Sequence, residues 1–166
     1  MASADNLMAA FAGESQANRK YLAFAKKAET EGLKQIAKLF RAAAAAETVH
    51  ALAHLRAAGQ VKDTVTNLQA AIEGEHHEFT SMYPGFIAAA VAEGAKGAQS
   101  SFEKANAVEQ THHALYAEAL EAAKAGKDLP EADLYVCDIC GHTVSGEAPD
   151  TCPVCGARRE KFSKVE

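Results

Sequence analysis

Phe40-Arg41-Ala42-Ala43-Ala44-Ala45-Ala46-Glu47-Thr48-Val49-His50 is the stretch that decides how this chain is read. A run of Ala favours helix, because Ala loses no side-chain entropy there and offers the backbone no competing hydrogen bond. Glu47 and His50 then fall on the line of an apolar stripe, Ile36, Phe40 and Ala43. Residues three apart on a helix project in similar directions, so both side chains reach one point. A carboxylate on an apolar face is costly unless it is paired or binds a metal. One such Glu is more often a helix-face ion pair or a boundary residue, and one Glu-x-x-His is a weak signal.

The signal strengthens because it is doubled. Glu109-Gln110-Thr111-His112 repeats the element, on a stripe running Phe102, Asn106, Glu109, His112, Tyr116, Leu120. Each copy is preceded by a lone Glu on an apolar stripe: Glu14 lies 33 residues before Glu47, and Glu75 lies 34 before Glu109. Glu14 sits on Leu7, Phe11, Asn18, Tyr21, Ala25, Ala28, and Glu75 on Leu68, Ile72, Phe79, Met82. These spacings of three and four predict four amphipathic helices. Gly32, Gly59 and Gly126 close three of them. Thr64 or Thr66 is the expected N-cap of the third, and Ser100 or Ser101 of the fourth. Pro84-Gly85 should bend or interrupt the third helix, with a short helical piece to Gly94. Four helices with short links read as a four-helix bundle, and four Glu with two His then converge at its centre. Hard carboxylates with imidazole suit iron or manganese, with zinc as the alternative. The pattern matches the general description of ferritin-like di-metal carboxylate proteins.

One residue breaks the symmetry. Glu78 stands three after Glu75, where the first half has Ala17 three after Glu14, so one half offers a seventh ligand. A solvated helix-face Glu is the plainer alternative. Tyr21 and Tyr83 each fall a turn or two beyond a proposed ligand and either pack or hydrogen-bond to the site. His54 is core, site-supporting or solvent-facing; His76, His77 and His113 lie off the best face and are expected at the surface.

The end of the chain is of a different kind. All four Cys fall between 137 and 155, as Cys137-Asp-Ile-Cys140-Gly141 and Cys152-Pro-Val-Cys155-Gly156. Two C-x-x-C-G turns present four thiolates to one tetrahedral ion, iron or zinc. A disulfide framework would spread its Cys through the fold it staples, so the expectation is a reducing cytoplasm and a local metal site. The segment is too short to build much core, so the metal should be needed for it to fold. A boundary in Lys127-Asp-Leu-Pro130-Glu131 divides the chain into 1–130 and 131–166. The whole is 166 residues with net charge −5, which leaves no basic footprint for nucleic acid. No apolar run approaches the ~20 residues of a membrane helix, and the start lacks a secretory signal. Ala supplies 38 residues, which makes helices easily and fills a core poorly.

Together these residues closely resemble the rubrerythrin family. Phe11-Ala-Gly-Glu14-Ser-Gln-Ala looks like its first helix, and Glu47-x-x-His50 like its second-helix ligands. Gly74-Glu75-His-His-Glu78 resembles its G-E-x-x-E element, Glu109-x-x-His112 its fourth helix, and the tail its rubredoxin-like domain. The resemblance covers essentially the whole chain. It implies a mainly α, ferritin-like four-helix bundle with a di-iron centre, followed by a rubredoxin-like domain with one iron on four cysteines. Its implied ligands are Glu14, Glu47, His50, Glu75, Glu78, Glu109 and His112, with Cys137, Cys140, Cys152 and Cys155 at the second site. In that family one iron exchanges the extra Glu for a His as it is reduced; position for position these are Glu78 and His50. Tyr21 and Tyr83 fall where the family has tyrosines near the di-iron site.

The implied activity is a peroxidase that reduces hydrogen peroxide to two waters in oxidative-stress defence. Its electrons enter through the four-cysteine iron from a rubredoxin or an NAD(P)H-linked flavoprotein. In the family the two domains of one chain lie far apart, and each rubredoxin-like domain serves the partner in a head-to-tail homodimer. A ferroxidase would share the bundle but leave Glu78 and the four-cysteine module unexplained. A zinc-ribbon scaffold on a helical interaction bundle would leave the doubled Glu…Glu-x-x-His as coincidence.

Overall fold

A computed structural model describes residues 2–166. Its Cα packing divides into two compact units, residues 1–62 and 63–166.

The first unit is a helical hairpin, α1 (Ala2–Thr30) and α2 (Lys34–Ala57). Its turn needs a left-handed residue, and Gly32 supplies it at φ 79°. Beyond it, Leu33 N–H reaches back to Ala28 C=O at 2.9 Å and satisfies one of the helix's last carbonyls. The two helices meet through small side chains: Ala25, Ala28, Ala37, Ala44 and Ala51 are buried. With so little apolar volume at the seam, polar and ring contacts add to it. The Asn18 amide donates to Ala44 C=O at 2.7 Å and to Thr48 Oγ1 at 2.9 Å. Phe40 of α2 packs on Tyr21 and Phe24 of α1, with centroids 6.2 and 5.6 Å away.

The second unit begins with α3 (Thr64–His77). Its N-cap is Asp63, not Thr64 or Thr66; the carboxylate accepts from Thr66 N–H at 3.0 Å and from Thr66 Oγ1 at 2.7 Å. The helix does not stop at Pro84. It widens into one π turn, Glu78–Met82, and runs on as α4 (Tyr83–Glu93), with Pro84 in its first turn. Tyr83 N–H donates five residues back, to Glu78 C=O. A Pro has no N–H and is tolerated at the first turn of a new helix, so the chain passes it without a break. α5 (Lys96–Lys124) starts ahead of Ser100 and Ser101, after Ala95, and has no side-chain cap. It packs against α3, the π turn and α4.

A small sheet follows: β1 (Leu134–Cys137), β2 (Thr143–Ser145) and β3 (Phe162–Lys164). The strands are antiparallel in the order β2-β1-β3, with Tyr135 opposite Val144 on one side and Lys164 on the other. Cys137 and Cys152 are the most deeply buried side chains of this part. Among the described residues, no helix is long and apolar enough to cross a membrane.

Candidate metal centres

Each unit gathers its own acid and imidazole groups. In the first, α1 brings Glu14 and α2 brings Glu47 and His50, with donor atoms within 4.8 Å of one another. His50 Nδ1 lies 2.9 Å from Glu47 Oε2. In the second, Glu75 of α3 meets Glu109 and His112 of α5 within the same 4.8 Å. His112 Nδ1 lies 2.8 Å from Glu109 Oε2 and 3.9 Å from Glu75 Oε2. Two ligands at ~2.1 Å on one ion stand about 3 Å apart when adjacent, so these spacings fit metal donors.

The second cluster holds its carboxylates in a partly apolar surrounding. Burial, then Glu109, pushes the Glu75 carboxyl up to about 7. Glu78 lies outside the trio within 4.8 Å, but burial and Glu109 raise its carboxyl too. Tyr83 shares that field: burial first, then Glu109, Glu78 and Glu75, raise its phenol and keep its hydrogen on. Glu78 opens the π turn, which sets how far Glu78 and Tyr83 are rotated about the helix axis. Sequence spacing alone does not reveal that turn; Pro84 is its one sequence mark. Tyr21 is found in the ring cluster with Phe24 and Phe40. His113 departs from its expected surface position. It is half-buried, its ring against His76 and Phe79 at 5.8 and 5.5 Å. His76 and His77 are exposed, as expected.

Four free thiols form the remaining cluster, Cys137, Cys140, Cys152 and Cys155. Cys137 Sγ stands 3.7 Å from Cys155 Sγ, and Cys140 Sγ 3.6 Å from Cys152 Sγ. A tetrahedron of sulfurs at ~2.3 Å from one ion has edges of about 3.8 Å, so the cage is already metal-sized. The two knuckles are built alike. Gly141 N–H donates to Cys137 C=O at 2.8 Å, and Gly156 N–H to Cys152 C=O at 2.9 Å. Both Gly have positive φ, 85° and 73°, which a side chain would strain. Backbone N–H groups also point at sulfur, from His142 to Cys140 and from Cys155 and Val154 to Cys152. Burial pushes the Cys152 thiol up, yet those N–H groups together with the Cys140 and Cys155 thiols outweigh it and bring the thiol down to about 7. Burial dominates at Cys140 and raises it.

The second unit joins its two clusters. Thr143, the first residue of β2, places Oγ1 3.0 Å from His112 Nε2. A Cβ on Gly141 would stand 3.9 Å from the buried Val108 side chain, one turn before His112. The implied separation of the two domains within a chain therefore does not hold here. The Cys140-Gly141-His142-Thr143 knuckle lies on α5 of its own chain. His142 Nδ1 and Asn106 Oδ1 are buried without a hydrogen-bond partner among the described residues. A cleft of about 600 Å³ opens beside the contact, lined in part by Leu68, His112, Tyr116, Leu129, Thr143 and Ser145.

Comparison with known proteins agrees over nearly the full length. The rubrerythrin family model matches residues 5–120, and the model of the rubrerythrin rubredoxin-like domain matches 135–163. Rubrerythrin-2 of Clostridium acetobutylicum is 35% identical, over 96% of this chain and 94% of its own. Nigerythrin of Nitratidesulfovibrio vulgaris is 39% identical, over 96% of this chain and 84% of its own. Among solved structures, the mixed-valence state of nigerythrin superposes with a TM-score of 0.59 at 34% identity. It covers 98% of this chain and 86% of that one. The fully reduced, all-ferrous state of nigerythrin gives a TM-score of 0.59 at 33% identity, with the same coverage.

Proposed function

This chain belongs to the rubrerythrin family, and from that premise we propose that it is a non-haem di-iron peroxidase that reduces hydrogen peroxide to water. The fold class is that of the family, mainly α and ferritin-like with a rubredoxin-like module, and so are the cofactors: a di-iron centre and a four-cysteine iron site. Family members are oxidoreductases. The module boundary at 130/131, between the two matched regions, is part of the proposal.

The observation that carries the reading is the pair of trios, Glu14–Glu47–His50 and Glu75–Glu109–His112, with the thiol cage beside the second. We assign these six residues and Glu78 to the di-iron centre, and Cys137, Cys140, Cys152 and Cys155 to the other iron. A pair of ferrous ions held by these residues would supply the two electrons that peroxide needs and the Lewis acidity that polarises its O–O bond. The balance is H₂O₂ + 2e⁻ + 2H⁺ → 2H₂O, so the protein must also deliver two protons. Without metal, burial and then Glu109 hold the Glu75 carboxyl up at about 7; as a ligand it gives that proton up. Burial and the neighbouring carboxylates keep the Tyr83 phenol protonated, so it has a hydrogen to donate. Glu78 is the extra carboxylate, and His50 is the more accessible imidazole, its side chain 54% exposed against 27% for His112. Such exposure suits His50 to moving between states. Tyr21 stiffens the first trio's helix pair through Phe40.

An iron held by Cys137, Cys140, Cys152 and Cys155 would be the entry for electrons from an external donor, a rubredoxin or an NAD(P)H-linked flavoprotein. The His142 N–H on Cys140 and the Thr143 hydroxyl beside His112 bring this module against the second trio within the chain. The homodimer is proposed on family grounds, and a reducing cytoplasm on the free thiols. Iron-loaded protein supplied with a reductase should consume peroxide with a stoichiometry of one peroxide per two electrons. Iron in the four-cysteine site alone, with no peroxide consumption, would contradict the assignment.

A further inference from the structure

We propose that Thr143 is a positioning residue for His112: its hydroxyl takes the Nε2 hydrogen and so presents Nδ1 to the metal. The inference rests on His112 being a ligand and adds a role for a side chain of the four-cysteine module.

The argument is a count of hydrogens. Thr143 Oγ1 lies 3.0 Å from His112 Nε2 and 3.1 Å from Gly141 C=O. A carbonyl only accepts, so the one hydroxyl hydrogen goes to Gly141. The Oγ1 lone pairs then face His112, and the imidazole must be the donor. With the hydrogen on Nε2, the Nδ1 lone pair points at Glu109 Oε2, 2.8 Å away, as a co-ligand would. Metal-bound His commonly fixes its other ring N–H in this way, and loss of the partner weakens metal binding. The anchor itself is stiff: Gly141 is tied to Cys137 C=O by its N–H at 2.8 Å. The thiol cage thereby holds one end of the clamp. Each Glu-x-x-His has its His–Glu contact, but a ring-nitrogen contact from the four-cysteine module is seen at His112. The clamped His is suited to stay and the exposed His50 to move.

The test uses the full chain with ¹⁵N-labelled His, zinc in the four-cysteine site, and zinc then titrated into the helical clusters. Expected for the wild type is a His112 Nε2–H resonance that exchanges slowly with water. Thr143→Val should make it exchange at least ~10-fold faster and weaken zinc binding at the helical site roughly 10-fold. Thr143→Ser should restore both. Exchange and affinity within about twofold of wild type in Thr143→Val would overturn the clamp, as would a failure of Thr143→Ser to match wild type. Should the valine variant lose its four-cysteine zinc, the serine variant decides. If the wild type takes zinc only at the cysteines, the ligand assignment of His112 fails and the clamp with it. Uptake in the wild type that ignores Thr143→Val sinks the clamp alone.

Discussion

Glu75 shows how one side chain couples metal to proton. Burial, then Glu109, holds its carboxyl at about 7 instead of 4.5. Between those values the folded chain carries a proton that the unfolded chain has lost. Without metal, stability from this group therefore falls as pH rises through that window. A metal needs the carboxylate, so binding expels the proton. Zinc affinity at the helical site should climb by roughly tenfold per unit of pH up to about 7 and then level off. Calorimetry across that range checks it, and a flat profile would contradict the shift. Glu78→Ala should cut peroxide turnover by roughly 10- to 100-fold while metal content, read by atomic analysis, holds. Unchanged turnover would return Glu78 to the surface. The six trio residues were legible in the sequence, because spacings of three and four settle which residues share a helix face. Thr143 was not: its partner His112 is 31 residues away, and no local period encodes a tertiary contact.

At the scale of elements, the π turn and the α1–α2 seam matter most. Pro84→Ala restores an N–H donor and lets Glu78–Met82 rewind as α-helix, turning Glu78 about the axis. Helix content by circular dichroism should hold while peroxide turnover falls several-fold; unaltered turnover would show that the turn does not place Glu78. In the hairpin, Asn18 bridges to a backbone carbonyl between helices whose buried contacts are mostly Ala. Asn18→Leu should cost about 1–2 kcal/mol in denaturant melts, since it leaves Ala44 C=O without that donor. Helix ends were legible because Gly32, Gly59, Gly94 and Gly126 all take the positive φ that ends a helix. Starts were less so. Asp63, Thr64 and Thr66 all carry cap-capable oxygens, and Asp63 takes the cap by accepting from both the N–H and the hydroxyl of Thr66. α5 begins with no side-chain cap at all.

For the whole molecule, an Ala-rich composition gives helices cheaply but leaves little apolar volume to hold them. Of the buried apolar residues, Val108 and Leu120 are the only ones larger than Ala or Cys among the described residues. Metal ions supply the cross-links that such a core lacks. Chelation should unfold the β1–β2–β3 module, seen as loss of its dispersed amide resonances, while α1–α5 keep most of their helicity. The division at 62/63 was not legible, because nothing in the loop's composition marks it; the boundary proposed at 130/131 is read from composition around Pro130. The central claim is peroxide reduction, and rapid mixing of fully iron-loaded, anaerobically reduced protein tests it most directly. The visible absorption of the ferric four-cysteine centre should return far faster with peroxide than with O₂, with two electrons lost per peroxide. Equal rates, or faster return with O₂, would contradict a peroxidase and point to a ferroxidase.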